Sequence, residues 1–299
     1  GYGAALYGAS AGLRIAMVEK DKVGGTCLHR GCIPAKELLE TAHVHQTVLG
    51  ADRFGINTDA PVVDWSVTQQ RKQKIVDQLH KGLSGLIKAR SIESISGTGH
   101  LDADRSVTVR LADGGTRTLR GSAVIVATGS VPRTIPGFEP DGTIVCTSDE
   151  FLDLADLPRR AVVIGGGAIG CEFASTMADM GAEVTILEAL PKILPGLDED
   201  VTKQVLRAFK KKGIAVKAGV TVTGHQPGAD GGTTVGLGDG ETLECDLVVV
   251  SVGRRPYTDG VVADAAGVTL DERGFVTVDE WCRSTAERVW AVGDCINTP

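Results

Sequence analysis

The chain has 299 residues, 42% apolar and 23% charged, which predicts about two soluble domains with sizeable cores. Its 31 basic and 38 acidic residues leave a net charge of −7, the wrong sign for a nucleic-acid footprint. No apolar run approaches the ~18 residues that span a bilayer. Seven cysteines, an odd number in a long chain, exclude a small secreted disulfide scaffold and fit a cytoplasmic protein.

The first segment announces a repeat. Residues 1–19 lie on 170–188 without a gap: Gly1 on Gly170, Ala5 on Ala174, Gly12 on Gly181, Ile15 on Val184, Met17 on Ile186 and Glu19 on Glu188. Each copy reads as a small-residue helix, a Gly stop, a short apolar strand and a terminal carboxylate. Residues 124–129 and 248–253 repeat in the same way, each a β-branched run ending in Gly (Gly129, Gly253) with Pro three residues on (Pro132, Pro256). One α/β unit is used twice.

Next comes Gly24-Gly25-Thr26-Cys27-Leu28-His29-Arg30-Gly31-Cys32-Ile33-Pro34-Ala35-Lys36. In a regular helix, cysteines five apart have Cα atoms roughly 8–9 Å apart, too far for a disulfide. A bridge therefore requires a distorted turn, and Gly31 is the place for it. Pro34 suits the first turn of the following helix, which would put Cys32 near a helix N-terminus, where a thiolate is stabilised. A redox dithiol, a zinc site drawing on His29 and His43 or His45, and inert packing all remain open from these residues.

Residues 64–89 carry Ile75, Leu79, Leu83 and Leu86 at helical spacing, predicting a long packed helix. Strands are expected near 91–96, 107–111 and 116–119, with a turn at Asp113-Gly114-Gly115. The run 161–164 reads as a buried strand entering Gly165-Gly166-Gly167-Ala168-Ile169-Gly170, a G-x-G-x-x-G that opens a helix, and Glu188 closes the next strand 23 residues after Gly165. Strand, loop, helix and acid together form a dinucleotide fingerprint. Its glycines let the backbone approach a pyrophosphate at the helix N-terminus. Glu188 would accept from a ribose hydroxyl and repel a 2′-phosphate, favouring NAD over NADP. Residues 198–213 run from acid through Lys210-Lys211-Lys212 to Gly213, a solvated, capped helix. Further strands are expected near 215–223 and 233–237, and the chain then passes through 274–278 to Gly293-Asp294.

In order, these motifs resemble the flavin-dependent pyridine nucleotide–disulfide oxidoreductases, and within that family the dihydrolipoyl dehydrogenases of actinobacterial type. His29-Arg30, Ala35 and Tyr257 depart from the commonest residues at their positions. The resemblance implies an α/β fold of two Rossmann-like, doubly wound dinucleotide-binding domains, the first discontinuous. These are an FAD-binding domain over 1–150, an NAD-binding domain over 151–278, and a return to the first over 279–299.

The resemblance also implies FAD held by Gly1, Glu19, Lys20, Gly25, Thr26, Lys36, Thr128, Gly129 and Asp294. It implies NAD held by Gly165, Gly167, Ala168, Ile169, Gly170, Glu188, Gly253 and Arg254. Cys27 would exchange with a substrate dithiol and Cys32 would face the flavin. Lys36 and Glu172 would pair beside the flavin's reactive nitrogen. Glu172 aligns with Gly3 in the first copy, so the repeated unit does not itself require an acid there. No metal is implied. The expected activity is NAD-linked, FAD-dependent oxidation of dihydrolipoyl groups on an acyltransferase or other lipoyl protein, by a homodimer, with no nucleic-acid or membrane partner.

A flavin reductase acting on mycothione, glutathione disulfide or mercuric ion is the rival reading, followed by a non-catalytic subunit of a 2-oxoacid dehydrogenase complex. The repeat further implies that Gly1 is the third Gly of a fingerprint begun upstream. By resemblance, the catalytic His–Glu base would lie in an interface domain beyond residue 299, making this segment alone inactive.

Overall fold

The repeated pattern folds into the same local unit twice. The computed structural model describes residues 1–228, 231–262 and 264–297, so the last two residues of the segment 279–299 lie outside the described residues. In chain order come α1 (Tyr2–Ser10), β1 (Ala16–Glu19), α2 (Gly25–Arg30), α3 (Cys32–Leu49) and α4 (Trp65–Ala89). Strands β2 (Glu93–Leu101), β3 (Val107–Leu111), β4 (Thr116–Leu119), β5 (Val124–Val126), β6 (Ser130–Pro132) and β7 (Val145–Thr147) follow. Then come α5 (Ser148–Phe151), β8 (Arg160–Ile164), α6 (Ala168–Asp179), β9 (Glu183–Glu188), α7 (Glu199–Lys211) and β10 (Ala215–Ala218). The chain closes with β11 (Val222–Pro227), β12 (Thr233–Leu237), β13 (Thr242–Cys245), β14 (Leu247–Val250), β15 (Arg254–Pro256) and β16 (Val289–Ala291).

Two compact units result. One comprises Gly1–His29, Val76–Val131 and Arg254–Pro299; the other comprises Arg30–Ile75 and Pro132–Gly253. In the second, β10-β9-β8-β14-β7 form a parallel sheet. Its central strands β8 and β14 are continuous apolar runs because both faces are buried. Val163, Ile186 and Val249 point into a core with Phe151, Phe173, Ala174, Met177 and Phe209 of the helices. Val162, Ile164, Val248 and Val250 point the other way, onto Val235, Leu237 and Cys245. Helices thus cover one face, and the antiparallel sheet β11-β12-β13 supplies the cover on the other.

In the first unit β1 pairs in parallel with β2, which continues antiparallel into β3 and β4. Beside Gly12, α1 turns back so that Ala5 packs with Ile87 and Ile92. A second cluster gathers Val126, Val276, Val289, Ala291 and Cys295 around the parallel pair β5 and β16.

One expectation shifts, in α4; the segment 30–75 packs with 132–253. Ala35, Leu38 and Trp65 lie in the second unit's main core, and the Trp65 indole donates to the Leu154 carbonyl at 2.8 Å. In α4 the buried stripe is Trp65, Thr68, Lys72, Val76 and Ile87, whereas Leu79 and Leu86 are each 44% exposed. Lys72 conceals this stripe from a hydropathy reading. It is 3% exposed, and its ammonium donates to the Leu152 carbonyl and to Asp153, both at 2.6 Å. Ile87→Ala is expected to cost about 2–5 kcal/mol, and Leu86→Ala within about 0.5–1 kcal/mol. Urea unfolding measures both; equal costs would contradict the observed stripe.

Candidate functional site

The turn from β8 into α6 is closed by backbone contacts that exclude side chains. Gly165 has φ +108°, and a Cβ on Gly170 would stand 2.0 Å from the Gly165 carbonyl oxygen and 2.6 Å from Ser251 Oγ. At Gly167, the N-cap of α6, a Cβ would meet nothing within 4 Å, and no side chain caps the helix. This turn therefore presents an open approach to helical N–H groups, as an anionic pyrophosphate requires. In that first turn Ala168 is exposed, while Ile169 is half-buried against the main core. Glu188, 8% exposed, accepts from the Gly166 N–H at 2.6 Å and from the Leu190 N–H at 2.8 Å. The carboxylate thus fixes the glycine loop as well as closing its strand. In the same unit Gly253 follows β14 with φ +104°.

The first copy reproduces the strand-end carboxylate within its own unit. Glu19 ends β1 and accepts from the Asp21 N–H at 3.0 Å, the counterpart of the Glu188–Leu190 bond. A Cβ on Gly1 would lie 3.4 Å from that of Ala127. Lys20 places its ammonium 3.4 Å from the centroid of the Tyr257 ring, a cation–π contact. Gly129, at φ +71°, accepts the Tyr257 N–H at 2.9 Å. Beside it, Thr128 Oγ1 is buried without a hydrogen-bond partner among the described residues. Asp294 is exposed and accepts from Ser130 Oγ at 2.8 Å. Arg254, expected among the NAD residues, donates to Ser130 through Nε and Nη2.

The cysteine segment breaks where the spacing requires. α2 stops at Arg30, Gly31 adopts φ −150° and ψ −117°, and α3 begins at Cys32. The Ala35 N–H donates to the Gly31 carbonyl at 3.0 Å, closing the first turn of α3, with Pro34 buried inside it. Cys27 and Cys32 are disulfide-bonded, so their sulfurs are not the thiolates that a zinc site would take. Gly25, at φ +71°, opens α2, and Thr26 follows it half-buried. His29 Nε2 and His80 Nδ1 both bond the Val23 carbonyl at 2.9 Å.

α3 also carries Lys36, whose ammonium donates to both carboxylate oxygens of Glu172 on α6, at 2.8 and 2.9 Å. The pair is partly exposed, at 56% and 35%. Ser130, Leu190 and His80 were not singled out from the sequence. The repeat held a signal for Ser130, because it aligns with Arg254 when Gly129 is laid on Gly253.

Three other thiols are of a different kind. Burial pushes the Cys146 thiol up to about 12 and those of Cys171 and Cys245 to about 11, leaving almost no thiolate at pH 8. Alkylation of native protein at pH 8 is expected to label these three slowly. Prior dithiothreitol treatment should add two fast-labelling sites, Cys27 and Cys32, by mass spectrometry; fast labelling of Cys146 instead would contradict the assignment. Gly170→Ala should destabilise the second unit by about 1–3 kcal/mol in urea unfolding, and no loss would contradict the close approach.

The model of the pyridine nucleotide-disulphide oxidoreductase family matches residues 1–299. Dihydrolipoyl dehydrogenase of Chlorobaculum parvum is 38% identical over 98% of the chain and 63% of its own length. That of Bacillus subtilis is 37% identical over 99% and 65%. Among solved structures, LpdA of Mycobacterium tuberculosis superposes with a TM-score of 0.93 at 24% identity, covering 99% of this chain and 65% of its own. The HOCl-induced flavoprotein disulfide reductase RclA of Escherichia coli gives 0.84 at 29% identity, covering 98% and 63%. The chain thus spans somewhat less than two thirds of these relatives' length. The chain belongs to the pyridine nucleotide-disulphide oxidoreductase family.

Proposed function

We propose that the full-length protein is an FAD-dependent dihydrolipoyl dehydrogenase: a cytoplasmic homodimer that oxidises dihydrolipoyl groups on an acyltransferase or other lipoyl protein, with NAD as acceptor. The observation that carries this reading is the Cys27–Cys32 disulfide, with Cys32 as the first residue of α3. A substrate thiolate attacks Cys27 Sγ, the Cys27–Cys32 bond breaks, and Cys32 leaves as a thiolate. The helix dipole at the start of α3 stabilises that charge. The second substrate thiol then displaces Cys27, giving the lipoyl disulfide and a reduced Cys27–Cys32 pair. FAD, when bound, supplies the two-electron relay from this pair to NAD.

The residues suit both nucleotides. For FAD, the buried Thr128 Oγ1 lacks a partner beside Gly129, and Asp294 offers an exposed carboxylate. Gly1, Glu19, Lys20, Gly25, Thr26 and Lys36 complete that proposed set. For NAD, the open approach at Gly167 and the α6 N-terminus suit a pyrophosphate. Gly165, Ala168, Ile169, Gly170, Glu188 and Gly253 surround that function, with Glu188 disfavouring a 2′-phosphate. Lys36 and Glu172 hold one another, and with FAD bound this pair would stand beside the flavin's reactive nitrogen. The likeness to RclA supports a second reading, a general disulfide reductase. A preference for NADPH over NADH in the full-length protein would favour it.

Cys27→Ser and Cys32→Ser in the full-length protein are each expected to lower dihydrolipoamide oxidation by about 10⁴-fold or more. NADH-driven reduction of an artificial acceptor should persist. Retained dihydrolipoamide turnover in either variant would overturn the reading. Glu172→Ala is expected to slow NAD reduction by about 10²-fold with FAD still bound; stopped-flow kinetics of that half-reaction decide, and an unchanged rate would remove Glu172 from the machinery.

A further inference from the structure

Two hydrogen bonds in the first unit form a line between two charges, and a third braces it. Arg254 Nε donates to Ser130 Oγ at 2.7 Å, and Nη2 donates to the Ser130 carbonyl at 2.8 Å. Ser130 Oγ in turn donates to Asp294 Oδ2 at 2.8 Å. The direction of the line is set by chemistry. A guanidinium can only donate and an ionised carboxylate can only accept, so the single Ser130 hydroxyl hydrogen must point at Asp294. Ser130 is 8% exposed, and the bonds at both ends are charge-assisted. The guanidinium polarises the hydroxyl and makes it a stronger donor to the carboxylate.

The segment bearing Asp294 is fixed on its other side as well. Cys295, fully buried, directs its Sγ toward the Val126 and Val292 carbonyls, and its own carbonyl accepts the Val276 N–H. One oxygen of Asp294 is thus anchored on Ser130 while the residue itself remains exposed. Ser130 and Arg254 also occupy equivalent places in the repeat, each directly after its copy's glycine, and β6 and β15 pair there.

We propose that Arg254 is a positioning residue for Asp294, acting through the Ser130 hydroxyl. It thereby governs how firmly the first unit holds the hydroxylated chain of FAD. The inference rests on the proposed function for the presence of FAD and moves Arg254 from the NAD set to the FAD side. Arg254 need not touch either nucleotide: it orients the carboxylate that does.

The test uses the full-length holoenzyme carrying Arg254→Met, Arg254→Lys, Ser130→Ala, or Arg254→Met with Ser130→Ala. FAD dissociation is followed by recovery of free-flavin fluorescence, and NADH affinity is measured on the same preparations. Arg254→Met and Ser130→Ala should each weaken FAD binding about tenfold. The double variant should be no weaker than the weaker single, and Arg254→Lys should fall between wild type and Arg254→Met. NADH affinity should stay within about twofold, a split that a general loss of stability would not produce. FAD binding indifferent to Arg254→Met, additive losses in the double variant, or lost NADH affinity with FAD retained would each overturn the inference. A wild-type protein that binds no FAD would remove the functional reading and this inference together, whereas intact wild-type FAD binding with an indifferent Arg254→Met removes the inference alone.

Discussion

The approach of Gly170 to the carbonyl of Gly165, too close for any side chain, is the constraint on which the second unit's chemistry depends. It sets where α6 begins relative to β8, and hence where Glu172, two residues further on, is presented. Glu188 reinforces the turn from the neighbouring strand by binding the Gly166 N–H. A buried carboxylate is costly unless hydrogen-bonded, and two backbone N–H donors meet that need. The same carboxylate therefore rigidifies the loop from the neighbouring strand.

The repeat shows which features belong to the folded unit and which to its chemistry. The carboxylate-to-backbone bond at the strand end occurs in both copies, at Glu19 and at Glu188, so it is part of the unit. The acid at Glu172 occurs in one copy only; at Gly3 a side chain would meet nothing within 4 Å. Room for an acid is thus present in the first copy and unused. Glu172 has a partner, Lys36, brought by a helix that has no counterpart in the repeat and begins at one of the two bridged cysteines. Cys32 and Lys36 are mounted on a single element, α3, which packs through Ala35 and Leu38 into the main core.

Much of this was legible beforehand because it follows local rules. β-branched runs gave strands β8, β9 and β14, and the helix break at Gly31 followed from two cysteines that a regular helix cannot bridge. Other features depend on tertiary context. The buried stripe of α4 runs through Lys72, whose charge hides a position that two acceptors make tolerable in the core. The packing of 30–75 with 132–253 follows from where Leu38 and Trp65 find their neighbours, which no periodicity encodes. Ser130 is an ordinary serine until the chain brings Arg254 and Asp294 to either side of it.

Anaerobic two-electron reduction of the full-length protein tests most directly whether the sulfur pair lies in electronic contact with a flavin. The expected result is a long-wavelength absorption band from the Cys32 thiolate against the oxidised flavin, with two new titratable thiols per flavin and no band in Cys32→Ala. Bleaching of the flavin with the Cys27–Cys32 bond intact and no such band would contradict it.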